Sequence, residues 1–298
     1  MNPRPLAAHV AETVPRTGAA GDAQRIGRHA VLALYHEAAL YPKPGLVSAL
    51  DSGAHADMTM ATFYRSLFAL RGYFPAIATL GTAGAPLAEL QKTGIAAEAA
   101  MLRATRGVNT HRGAIFNLGL LCAATGALTA AGRPVTARAV CAQVRAAYGA
   151  EIRRALALAL PVSHGLTVAR MFGAGGARAE AAAGFPSVRS WSLPAYRVTF
   201  AVTGDRERAS VHALFALIAH LADSNLLWRG GRDGLAWAQY QAAQFLADGG
   251  VLAPNWRDRA IAVHRAFVRR SLSPGGSADL LAVTLFLDAL DHGTCHAR

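Results

Sequence analysis

Ala and Leu dominate segment after segment of this chain, each about ten to twenty residues long and closed by glycine or proline, while strand-like alternation is scarce. Such a chain has many strong helix formers and few β-branched runs from which to build a sheet, so it is constrained to an all-α fold. The spacing predicts helices over residues 22–41, 58–80, 86–104, 114–131, 135–160, 163–172, 206–228, 233–247, 256–271 and 277–291, with a short helix and a long loop over 174–205. No Pro/Ser-rich linker or charge block divides the 298 residues. The expectation is one large multi-helix bundle over residues 25–298, preceded by a partly ordered lead-in over 1–24.

Several classes of function are excluded or disfavoured at this level. The lead-in lacks a basic start followed by an apolar stretch, so a cytoplasmic location is expected. Residues 114–132 reach transmembrane length but contain Asn117, Gly119, Thr125, Gly126 and Thr129, which suits a buried helix better than a membrane span. Cys122, Cys141 and Cys295 show no paired spacing, which argues against a disulfide framework or a structural zinc site. The net charge of +12 favours anionic partners, although a coding bias toward Arg and Ala accounts for it equally well. The arginines are scattered and aromatic residues make up only 7% of the chain, so a nucleic-acid surface is not expected.

Five polar, glycine-bearing stretches interrupt the helical pattern, at residues 41–58, 107–121, 177–188, 223–237 and 273–281. In the second, Asn109, Thr110, His111 and Arg112 stand where a glycine-edged turn enters an apolar helix. A helix start of this kind can hold phosphate through backbone N–H groups and a cationic side chain, or Asn109 and Thr110 can merely cap it. Ile26, Ala30, Ala33 and Glu37 step along one face, so Glu37 is expected to be buried and to need a partner: a metal-bound water, Lys43 or an arginine. The two prolines of YPKPG fix the backbone around Lys43. His55 and Asp57 alternate toward one side, and Asp57 also stands where an N-cap belongs. Asp223 and Asn225 are expected in the C-terminal half of the 206–228 helix, where a carboxylate gains nothing from the dipole and needs Mg²⁺ or Arg229 or Arg232 as compensation. Glu180 precedes a Gly/Pro helix stop, and Ser277 and Asp279 open the last helix, Ser277 as a cap.

In this order and at these separations, the five stretches resemble the triphosphoribosyl-dephospho-CoA synthase family, from about residue 31 to about residue 290. Relatives tend to carry lysine at the position of Arg112 and glycine at that of Ala179. The resemblance implies a helical enzyme whose glycine-rich inter-helix loops form one nucleotide site. There the 2′-hydroxyl of 3′-dephospho-CoA attacks C1′ of ATP's ribose and expels adenine. The product, 2′-(5″-triphosphoribosyl)-3′-dephospho-CoA, is the prosthetic-group precursor for the acyl carrier subunit of malonate decarboxylase or citrate lyase, delivered by a separate prosthetic-group transferase. With ATP comes Mg²⁺, expected on Asp57 and Asp223. Lys43, His55, Asn109, Thr110, His111, Arg112, Asn225 and Arg229 are then substrate or phosphate ligands, and Glu37, Glu180 and Asp279 the catalytic carboxylates. Two other readings compete: a helical Mg²⁺-dependent hydrolase of nucleotide or ADP-ribose-type glycosidic bonds, and a non-enzymatic adaptor for an acyl carrier or decarboxylase subunit.

Overall fold

The computed structural model describes residues 18–158 and 164–293, and every regular element among them is helical. In chain order the α-helices are α1 (Ala19–Ala39), α2 (Met60–Leu70), α3 (Tyr73–Thr82), α4 (Leu87–Ala104), α5 (Arg112–Ala130), α6 (Ala137–Leu158), α7 (His164–Phe172), α8 (Gly176–Ala182), α9 (Leu193–Thr203), α10 (Arg206–His220), α11 (Ser224–Ala247), α12 (Trp256–Arg269) and α13 (Gly275–Gly293). The expected all-α architecture is what the chain adopts. Residues 1–17 of the expected lead-in lie outside the described residues, as do Cys295 and His296. Residues 19–24 of that lead-in are already in α1, with Ala23 in the core.

α5 organises the molecule. It is apolar on almost every side, so it can satisfy its surface only by being surrounded. α1, α3, α4, α6, α8 and α13 all pack against it. Its core residues Leu118, Leu121 and Leu128 meet the buried faces of neighbours that include Leu34, Phe74 and Leu281, in one continuous cluster. Each such side chain contributes about 1.5–3 kcal/mol by leaving water. Arg112–Ala130 is also long and apolar enough to cross a membrane, but most of it is covered by the fold. Cys122 and Cys141 are free and buried.

Three boundaries differ from the periodic reading. The helix expected over 58–80 is two, because α2 ends at Leu70 and Gly72 begins α3. Thr59, not Asp57, caps α2, through a reciprocal bond with Thr62. The helix expected over 206–228 breaks after His220, and α11 leaves at 56° to α10. Gly230-Gly231 is no stop: only Gly231 leaves helical geometry, at φ 61° and ψ −159°, and α11 resumes beyond it. Residues 174–205 are helical for most of their length, as α8, a π-helical turn over Val188–Ser192 and α9.

Candidate active site

The N-terminal ends of α5, α8, α11 and α13, the C-terminal end of α1 and the 41–58 loop open onto one cavity of about 760 Å³. That volume is typical of small-molecule sites. Each of the five polar stretches supplies part of the lining: Lys43 and His55; Asn109 to Gly113; Arg178 and Glu180; Asp223, Asn225 and Arg229; Gly275 and Asp279. Asp57 is the exception. It is exposed and absent from the lining, 3.7 Å from Nδ1 of His55, itself part of the wall.

The carboxylates are organised by helix starts. Asp223 is the N-cap of α11 and not part of a helix C-terminus, so the electrostatic deficit expected for it does not arise; it sits at the positive end of the dipole. Its Oδ1 accepts from the N–H groups of Asn225 (2.8 Å), Leu226 (3.4 Å) and Gly276 (3.3 Å), and its Oδ2 from the N–H (2.7 Å) and Oγ–H (2.9 Å) of Ser277. One buried carboxylate thereby joins the starts of α11 and α13, and Ser277 is spent on it. Burial pushes the carboxyl of Asp223 upward, and these hydrogen bonds oppose that rise. Asp279, from the first turns of α13, reaches the start of α5, where the Ala114 backbone hydrogen-bonds to it. Gly113 permits this approach, since a Cβ there would lie 2.0 Å from Oδ2 of Asp279. Burial, then the neighbouring Glu37 and Asp223, push the carboxyl of Asp279 well above the usual carboxylate range. Glu180 is also pushed up by burial, while the N–H and Oγ–H of Ser187 bind its two oxygens.

The expected phosphate ligands fare unevenly. Lys43 is buried, and its ammonium donates to Glu37 Oε1 (3.0 Å), Glu37 O (2.8 Å) and Ala38 O (3.1 Å). Those bonds use all three protons, so Lys43 holds Glu37 and closes α1, with nothing left for phosphate. His111 is buried too, its Nδ1 2.6 Å from Ser66 Oγ. Burial, followed by the nearby Lys43, lowers its pKa to about 3, so the ring is neutral at physiological pH and supplies no charge to a phosphate. Asn109 accepts the Arg112 N–H, the first of α5, through Oδ1 at 3.1 Å, while the N-cap position itself falls on His111. With Asp279 on Ala114 as well, two N–H groups of that helix start are already taken by the protein's own side chains. Arg112 is exposed at the cavity edge and pairs with Glu98 through Nε at 2.6 Å. Arg229 donates Nη1 to Ala54 O and Ser271 O, each at 3.0 Å, and Nη2 lies 3.2 Å from His55 Nδ1. The His55 Nε2 lies 2.8 Å from Ser273 Oγ, so Arg229 and His55 tie the 41–58 loop to the turn before α13. Asn225 lies against Gly275.

A family model described as ATP:dephospho-CoA triphosphoribosyl transferase matches residues 23–297. The chain belongs to this family of transferases. A protein of Acinetobacter calcoaceticus named probable 2-(5″-triphosphoribosyl)-3′-dephosphocoenzyme-A synthase is 43% identical over 270 residues, covering 91% of this chain and 92% of the relative. One of Pectobacterium atrosepticum, named 2-(5″-triphosphoribosyl)-3′-dephosphocoenzyme-A synthase, is 43% identical over 270 residues, covering 86% and 85%. A third, of Citrobacter koseri and named as probable, is 40% identical over 262 residues, covering 86% and 87%. No solved structure matches the chain.

In this triphosphoribosyl transferase, the described residues do not build a resident metal cage. No three His, Cys, Asp or Glu side chains gather among them as a metal set requires. The oxygens of Asp223 already serve five protein donors, and Asp57 is exposed on the rim, so the pair expected to hold Mg²⁺ does not form such a site. Other residues at or behind the cavity wall escaped the sequence reading. Arg178 lines the cavity with no carboxylate partner among the described residues. Ser66 positions His111, and the buried His264 holds the Lys43 turn through Lys43 O at 2.6 Å while its Nε2 lies 3.1 Å from Asp51 Oδ2. Asn117 lines the cavity from the second turn of α5. Nothing in a single sequence separates these from ordinary helix and core residues.

Proposed function

We propose that this cavity joins ATP to 3′-dephospho-CoA, giving 2′-(5″-triphosphoribosyl)-3′-dephospho-CoA and free adenine. The observation that carries the reading is the convergence of Glu37, Glu180 and Asp279 with the arginines 112, 178 and 229 on one cavity, in a chain of this transferase family. In the reaction the C1′–N9 bond of ATP breaks and a bond forms between C1′ and the 2′-oxygen of dephospho-CoA. Positive charge builds on the ribose ring as the first bond weakens, as in other glycosyl transfers. Glu37, fixed by Lys43, is suited to face that charge. Asp279, whose carboxyl is pushed up by burial and two neighbouring acids, is suited to give its proton to the departing adenine. Glu180, with a raised pKa and two Ser187 hydrogen bonds, is suited to take the proton of the attacking hydroxyl.

The arginines at the mouth would receive the triphosphate, with Mg²⁺ entering as the companion of ATP and therefore as part of the substrate. The product would serve as prosthetic-group precursor for an acyl carrier protein of the malonate decarboxylase or citrate lyase type, by way of a prosthetic-group transferase, in the cytoplasm. The test is purified protein with ATP, Mg²⁺ and 3′-dephospho-CoA, followed for free adenine and for a conjugate of both substrates. Adenine and conjugate in equal amounts, only with both substrates present, support the transfer. Adenine released from ATP alone at a comparable rate overturns it in favour of hydrolysis.

A further inference from the structure

Asn117 is fully buried in α5 and lines the cavity, yet neither its Oδ1 nor its Nδ2 has a hydrogen-bond partner among the described residues. A buried carboxamide left unpaired on both sides is costly, and native proteins rarely keep one without use for it. His111 Nε2 and Thr110 Oγ1 line the same cavity and are likewise buried and unpaired. All three groups are neutral, since His111 does not protonate near pH 7. Apolar Ile77, Leu87, Leu90, Phe116, Leu120 and Ile152 share the lining. Neutral donors and acceptors on an apolar wall suit a heteroaromatic base far better than a phosphate, which the arginines serve.

We propose that Asn117 is the base-specificity residue for the sugar donor: it reads the 6-amino edge of ATP's adenine, Oδ1 accepting from the exocyclic amine and Nδ2 donating to the adjacent ring nitrogen. Asparagine and adenine are complementary in this two-bond arrangement. The stretch that looks in sequence like a phosphate-binding helix start is thereby a base-binding wall. The inference rests on the reading of ATP as donor, and the experiment separates the two.

Binding of ATP, of 3′-dephospho-CoA and of the analogue of each that lacks the 6-amino group (purine riboside triphosphate and 6-desamino-3′-dephospho-CoA) is measured by calorimetry on the full chain and on Asn117→Leu, and product formation is followed separately. The wild type binds ATP roughly ten- to a hundredfold more tightly than its analogue, and Asn117→Leu brings the two to within about threefold. Should Asn117→Leu fail to fold, Asn117→Ser loses most of the preference by the same assay. Equal binding of the two nucleotides to the wild type overturns the inference. So does a preference that survives substitution, or one that Asn117→Leu removes for 6-desamino-3′-dephospho-CoA but not for the triphosphate. Intact discrimination without any conjugate would leave Asn117 in its role and overturn the transfer instead.

Discussion

A few side chains decide what this cavity can do, and their burial matters more than their identity. Asp223 is the sharpest case, because it bridges two helix starts with five accepted hydrogen bonds. Asp223→Ala should cost roughly 3–5 kcal/mol, from two lost caps at about 1 kcal/mol each and buried donors left unpaired at about 1–3 kcal/mol. Urea unfolding without Mg²⁺ checks this; a loss seen only with Mg²⁺ would restore the metal reading. His111 makes a pH prediction. Its pKa falls from 6.5 in the unfolded chain to about 3 when folded, so the unfolded state binds the extra proton between those values. The contribution is therefore present above pH 6.5 and is lost as pH falls toward 3. Between pH 6.5 and 5 the wild type should lose stability more steeply than His111→Gln, by up to about 1.4 kcal/mol per pH unit. Parallel thermal-unfolding curves would contradict the assignment.

Helices are where the sequence was most readable, and their breaks where it was least. Apolar residues at helical spacing announced α1 and α12, each with neighbours to bury that face, while α5 was announced by its long uncharged run rich in Ala and Leu. The break at Leu221, Ala222 and Asp223 contains no glycine or proline, so periodicity runs across it, while Gly230-Gly231 looks like a stop that packing overrides. The local signal was Asp223 itself, a preferred N-cap residue followed by Ser224 and Asn225. Pro75 was a second missed signal, since proline within the expected 58–80 helix is tolerated only near a helix start. At this scale, Gly113 sets how closely α5 and α13 approach. Gly113→Ala would drive a methyl into Asp279 Oδ2, and turnover should fall about a hundredfold, as for a catalytic group displaced by about 1 Å. Steady-state adenine release measures it, with circular dichroism confirming the fold; unchanged turnover would remove Asp279 from the chemistry.

Across the whole molecule, five stretches separated by more than two hundred residues of chain meet at one cavity, and α5 makes that possible by anchoring six other helices. That the stretches belong together was legible in their composition and order. How they divide the work was legible only in part: Lys43 stood among three candidate partners of Glu37 and is the one that binds it, but that the start of α5 goes to Asp279 is a tertiary fact no local pattern carries. Transfer between two large nucleotides requires that these stretches form one shared site. Hydrogen exchange read by mass spectrometry, with and without saturating ATP and 3′-dephospho-CoA, addresses it directly. Protection should rise together in peptides covering residues 41–58, 109–121, 176–182, 223–231 and 273–281, while α9 and α12, which supply nothing to the lining, stay unchanged. Protection confined to one or two of those peptides would contradict it.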